Sequence, residues 1–125
     1  MTSNVIQRLT VNEIKETMAS PAYGVTTFSA VDSCTFYITY NPGTTLNLTN
    51  VQLANDGIIS ITFISPLGSM SMPTTVTVNG TGYTVKWAGG TAPTASGGSV
   101  VLLTLSIITV NNQVAYVIGG KSNFS

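Results

Sequence analysis

The stretch SVVLLTLSIITVNNQVAYVI, residues 99 to 118, decides the fold class. Val101, Leu103, Leu105 and Ile107 recur at every second position, which is the period of an extended strand rather than of a helix. Asn111-Asn112 interrupts the run with two residues that tolerate positive φ, so residues 99–110 and 113–118 read as two strands joined by a two-residue hairpin. The second face of the first strand carries Val100, Leu102, Ile108 and Val110, broken by Thr104 and Ser106. A strand with one face in water is polar at every second residue, so this face too is expected to be covered, by the other sheet, by the N-terminal segment or by another subunit.

Working outward, the same period of two recurs at 25–31, 34–40, 45–49, 57–65, 74–78 and 83–87. The segments are punctuated by Asn41-Pro42-Gly43, Asn55-Asp56-Gly57, Pro66-Leu67-Gly68 and Asn79-Gly80, residues that preset a turn or accept its positive φ. Only TVNEIKETM, residues 10–18, departs from this pattern. Thr10 and Glu13 have capping-box spacing, Val11, Ile14 and Met18 fall on one helical face, and Ser20-Pro21 stops the helix. The expected fold is therefore mainly β: an antiparallel, sandwich or jelly-roll-like single domain over residues 23–125, preceded by an arm with a short helix over residues 1–22.

Composition narrows the function. The 125 residues suit one domain, and only 6% of them are charged, with a net charge of zero. A surface so poor in charge is weakly protected against self-association, which points to an assembly. Arg8, Lys15, Lys86 and Lys121 are scattered and make no nucleic-acid footprint. The most apolar run, Val100 to Val110, is well short of the ~20 residues of a membrane-spanning helix, and MTSNVIQRL lacks the form of a signal peptide. Cys34 is the single cysteine; its place in the alternation SCTFYITY predicts a buried thiol.

Catalytic chemistry has little to work with. There is no histidine for a base, a triad or a metal site, and one cysteine makes no zinc cage. No metal and no cofactor is expected, and no enzyme activity. Of the four acids, Glu13 is accounted for by its cap and Glu16 by an exposed helix face; Asp32 and Asp56 would have to meet across the fold to act as a hydrolytic pair. GGTAPTASGG, residues 89–98, lacks the lysine of a phosphate loop and is not followed by a helix pattern. Tyr83 and Trp87 could stack on a sugar, but a tryptophan that ends a strand more commonly packs its ring and donates its N–H to a carbonyl.

Residues 83 to 120, YTVKWAGGTAPTASGGSVVLLTLSIITVNNQVAYVIGG, resemble a β-rich module of bacteriophage virion proteins, found near the C-terminal ends of tail fibres and related proteins. Lys86, Trp87, Gly89, Gly90, Thr91, Ala92, Pro93 and Thr94 match its loop, and Tyr116, Gly119, Gly120 and Phe124 match its end; the likeness fades toward residue 34. Asn111-Asn112 stands where the module usually has an acidic turn residue, and the chain has no shaft sequence. The resemblance implies a protein of the virion exterior, made in the host cytoplasm and generally a homotrimer. Without a shaft, it implies a capsid decoration, or cement, protein that bridges subunits of the major capsid protein or another virion protein. Val11, Ile14 and Met18 would anchor it to the shell, with neither nucleic acid nor membrane as partner. The alternative is a tail-fibre tip that recognises host-surface polysaccharide through Tyr83 and Trp87.

Overall fold

The computed structural model describes residues 17–94 and 97–125. Among them are nine strands: β1 (Met18–Ala19), β2 (Thr27–Ser29), β3 (Thr35–Tyr37), β4 (Thr45–Thr49), β5 (Asp56–Ser65), β6 (Thr75–Val78), β7 (Thr81–Lys86), β8 (Val100–Val110) and β9 (Gln113–Phe124). They form one curled open sheet in the order β1-β3-β5-β8-β9-β7-β6-β4-β2. The mainly β class expected from the period of two is thus observed, with all eight anticipated segments present as strands.

The pairing differs from the antiparallel arrangement expected. β1, β3 and β5 are parallel neighbours at one end of the sheet, and β2, β4 and β6 are parallel neighbours at the other. The chain changes ends after each of these strands and winds as a coil, each turn of which adds one strand to each half. Parallel neighbours need a crossover, and in most folds a helix supplies it. Here the crossover is a strand of the opposite half, so the period of two continues and local sequence carries no mark of direction. β6 and β7 then reverse through Asn79-Gly80, whose φ angles of 51° and 90° suit a tight hairpin. The long β8–β9 hairpin joins the halves, with β8 antiparallel to β5 and β9 parallel to β7. Its turn is the expected one: Asn111 and Asn112 have φ of 53° and 62°.

Alternation builds the core. Leu46 and Leu48 of β4, Val76 and Val78 of β6, Phe63 of β5 and Leu103, Leu105 and Ile107 of β8 all point inward and are buried. Phe28, from the edge strand β2, meets Phe63 edge-on at 5.0 Å and Phe36 at 5.2 Å, although these two lie near the opposite edge of the sheet. This contact closes the curl, each ring pair adding ~0.5–1.5 kcal/mol beyond burial. Polar side chains fix the corners between turns of the coil. Asn79 pairs with the backbone of Val51 through both its oxygen and its nitrogen, at 3.0 and 2.9 Å, in the manner of a ladder residue. Asn41 does the same work at another corner, accepting from the amides of Gly43 and Ser71.

One local expectation is corrected, and most of another lies outside the described residues. Among the described residues there is no α-helix: Met18 and Ala19 lie extended, paired with Thr35 and Phe36 of β3, while Val11 and Ile14 fall outside the described residues. The free edge of β3 offers backbone partners, and Pro21 disfavours helical geometry just upstream. Cys34 is exposed rather than buried. Ser33 takes the inward place, its hydroxyl satisfied by the Thr35 amide at 2.9 Å, and the alternation of Phe36, Ile38 and Tyr40 begins only after this turn.

Candidate functional site

Trp87, directly after β7, is half-buried against the core and donates its indole N–H to the carbonyl of Pro73 at 3.0 Å. Its ring covers Gly119 of β9 so closely that a Cβ there would lie 2.6–2.7 Å from three ring carbons. A glycine inside a strand commonly marks such a close approach. The chain that follows is tied at Gly90 and at Thr94. Gly90 donates to the Trp87 carbonyl at 2.9 Å, with Gly89 and Gly90 at φ 80° and 82°, and the Lys121 ammonium donates to the Thr94 carbonyl. Trp87 is therefore an anchor.

The exposed margins of the ring border two shallow hollows. One, of about 460 Å³, is shared with Thr91, Pro93, Lys121 and Asn123. The other, of about 480 Å³, lies against Lys86, Tyr116 and Ile118 and is mostly apolar. Tyr83 packs against the core and borders neither hollow, so the structure does not bring the two aromatic residues together as a sugar platform.

The two outer faces of the sheet differ sharply in chemistry. On the half formed by β2, β4, β6 and β7, the outward residues run Thr27, Asn47, Thr77 and Gly82 in one row and Thr45, Thr75 and Thr84 in the next. Thr77 donates to the Asn47 side chain at 2.8 Å, as suits a face wetted by solvent. On the half formed by β5, β8 and β9, the corresponding rows are Ile58, Ile108 and Tyr116; then Ser60, Ser106 and Ile118; then Thr62, Thr104 and Gly120; then Ile64, Leu102 and Ser122. Ile58 is 67% exposed and Tyr116 50% exposed; no charged residue lies within these four rows, but Asp56 stands at the end of the face in register with Val110, and Lys86 of β7 continues the second row beside Ile118.

A β-bulge produces this placement. Thr109 pairs with Val114 but Ile108 pairs with Tyr116, leaving Ala115 as an extra residue in β9. The slip turns Val117 and Gly119 inward while Tyr116 and Ile118 face out. The apolar second face of residues 99–110 was legible in sequence; the contribution of Tyr116 and Ile118 was not, because strict alternation from Gln113 would have assigned both to the core side.

The other candidates lie elsewhere. Met18 stands 45% exposed on the short edge strand β1. Asp56 accepts from the amide of Asn111 at 3.0 Å and so serves the β8–β9 turn, whereas Asp32 borders a hollow between β1 and β2 that holds no second carboxylate. Among the described residues no group of three or more His, Cys, Asp or Glu side chains could hold a metal ion, and no helix is long and apolar enough to cross a membrane. Tyr40 has a phenol pKa above its ordinary value, because burial disfavours the phenolate; its hydroxyl donates to the Val25 carbonyl at 2.8 Å. Comparisons with protein-family profiles, with curated proteins and with solved structures give no match.

Proposed function

We propose that this protein is a structural component of a bacteriophage virion exterior, a trimeric capsid decoration protein that stabilises the head by bridging capsid subunits. The observation that carries the reading is the charge-poor, partly apolar face of β5, β8 and β9 on a domain whose opposite face is covered with threonine and asparagine. Contacts of that kind are driven by area and shape, at ~25 cal/mol per Å² of apolar surface, and depend little on salt. The likeness of residues 83–120 to a phage virion module supports the setting. We read the curled sheet as a relative of the two-layered sandwich, its halves facing each other over one core.

Quantitative mass spectrometry of purified particles tests the reading. It expects hundreds of copies on heads, and a lower melting temperature for heads stripped of the protein. Recovery with tails alone would refute it.

The margin of Trp87 beside Lys121 and Asn123 favours one second reading, a fibre-tip module that binds host polysaccharide. It expects glycan binding that Asn123→Ala weakens at unchanged stability, and only a few copies per particle. Trp87→Ala is unsuited to this test, because the same ring anchors the loop.

A further inference from the structure

We infer that Asn79 is a deamidation site gated by the fold, closed by its hydrogen bonds to Val51 in the folded chain and open whenever the β6–β7 turn comes away from that strand corner. The inference is independent of any place on a virion.

The chemistry starts from sequence. Asn79-Gly80 is the chain's one Asn-Gly pair; every other asparagine is followed by a residue with a side chain. With no side chain in the way, the Gly80 nitrogen can reach the Asn79 carboxamide once it has given its proton to a base in solution. The nitrogen bonds to Cγ, the Cγ–Nδ2 bond breaks, and Nδ2 leaves with a proton as ammonia. The cyclic imide then takes up one water at either carbonyl, giving aspartate or isoaspartate. Nothing is oxidised or reduced, and water is the only co-reactant.

Burial does not prevent this reaction. Asn79 and Gly80 are both exposed, and a Cβ built on Gly80 would meet nothing within 4 Å. Hydrogen bonding does. Asn79 Oδ1 accepts from the Val51 amide at 3.0 Å, Nδ2 donates to the Val51 carbonyl at 2.9 Å, and the Asn79 amide donates to the Leu48 carbonyl at 2.8 Å. Both ends of the carboxamide are therefore held on Val51, and the hairpin fixes the backbone of the two reacting residues at φ of 51° and 90°. Turning Cγ onto the Gly80 nitrogen breaks both side-chain bonds, so the reaction waits for the turn to open.

Either product makes that opening lasting. Aspartate puts a carboxylate oxygen where Nδ2 donated, so that two acceptors face each other at the Val51 carbonyl. Isoaspartate adds a backbone methylene to a two-residue turn whose flanks, Val78 and Thr81, are paired across the hairpin.

The test incubates the full chain at mildly alkaline pH, folded and in urea beyond its unfolding midpoint, and maps amide-to-acid conversion at each asparagine by peptide mass spectrometry. In the unfolded chain Asn79 should convert first. In the folded chain it should convert at least ~100-fold more slowly, since the turn opens only rarely. Below the midpoint its rate should rise with urea in parallel with the open fraction. Asn79→Asp, which carries one of the products, should unfold at a lower urea concentration than the parent. Conversion of folded Asn79 within a few-fold of the unfolded rate, or another asparagine converting ahead of it in urea, overturns the inference. An Asn79→Asp protein as stable as the parent overturns the claim that the product keeps the corner open.

Discussion

Gly119→Ala is the sharpest test of how Trp87 is held. The added methyl would lie 2.6–2.7 Å from three ring carbons, well inside any real Cβ contact. Gly119 sits in regular β9 backbone, so the substitution itself should slightly favour a strand, by ~0.5–1 kcal/mol relative to glycine. Any loss must come from the ring. Overpacking of this kind costs ~1–3 kcal/mol. If the ring swings aside, the indole N–H also leaves the Pro73 carbonyl, now 3.0 Å away, adding ~1–3 kcal/mol for a half-buried donor left unpaired. The expected net loss is ~2–4 kcal/mol.

Trp87 is the chain's one tryptophan, so its fluorescence reports on itself. Urea unfolding should show the loss as a lower midpoint, and the native emission should shift to longer wavelength as the ring moves toward water. The partner experiment is a double-mutant cycle. In a Trp87→Leu background the obstructing ring is gone, and Gly119→Ala should cost less than ~0.5 kcal/mol or even stabilise. A Gly119→Ala protein within ~0.5 kcal/mol of the parent, or one equally damaged in both backgrounds, would refute the assigned contact.

Three further outcomes follow from individual side chains. Asn79→Ala removes both hydrogen bonds to the Val51 backbone and places a Cβ residue without a local polar partner at φ 51°; a loss of ~2–4 kcal/mol is expected in thermal or urea unfolding. Ser65 Oγ is buried without a hydrogen-bond partner, so Ser65→Ala should be neutral or stabilising by up to ~1 kcal/mol, measured the same way. The raised pKa of Tyr40 means that the folded state holds its proton more tightly than the unfolded state: this contribution is fully present below pH ~10 and lost as pH rises through the folded pKa. Tyr40→Phe should cost ~1 kcal/mol at pH 7 and flatten the fall in stability above pH ~10, as read from unfolding midpoints across that range.

Much of the fold could be read from side-chain periodicity, because burial on one face imposes a period of two whatever the neighbour's direction. β4 and β6 show this clearly, with Leu46, Leu48, Val76 and Val78 inside and threonine or asparagine outside. The same generality hid the coil: Phe28, Leu48 and Val78 stack in one parallel column, yet they lie 20 and 30 residues apart and look locally like strands of any antiparallel sheet. Capping-box spacing suggested a helix that would reach Met18, but at Met18 and Ala19 the open edge of β3 decides the local conformation. At the candidate site, the anchoring role of Trp87 was accessible from chemistry, since an indole N–H needs an acceptor. Its dependence on Gly119 was not, because a separation of 32 positions in sequence conceals the parallel pairing of β7 with β9.

The bulge at Ala115 links the two parts of the site, and deletions test that link by parity. Removing any one residue from Val114 to Val117 lets β9 pair with β8 in a plain ladder without disturbing Ile118, Gly119 and the strand beyond. The deletions differ in which side chain goes where. Without Ala115, Tyr116 stays opposite Ile108 on the outer face and Val117 stays inside, so every remaining residue keeps its side. Without Val117, the ladder closes only if Tyr116 moves into the place of Val117, which is 1% exposed, and a phenol must fit where a valine was. The Ala115 deletion should therefore fold with stability within ~1 kcal/mol of the parent and unchanged Trp87 emission, losing only the extra twist a bulge confers. The Val117 deletion should lose ~3 kcal/mol or more through overpacking and an unpaired hydroxyl. Both proteins can be compared by urea unfolding and by the reactivity of Tyr116 to hydroxyl radicals, high in the first and low in any folded fraction of the second. Equal tolerance of the two deletions would mean that β9 is free to slide, and that neither the seat of Trp87 nor the apolar outer rows are fixed by register.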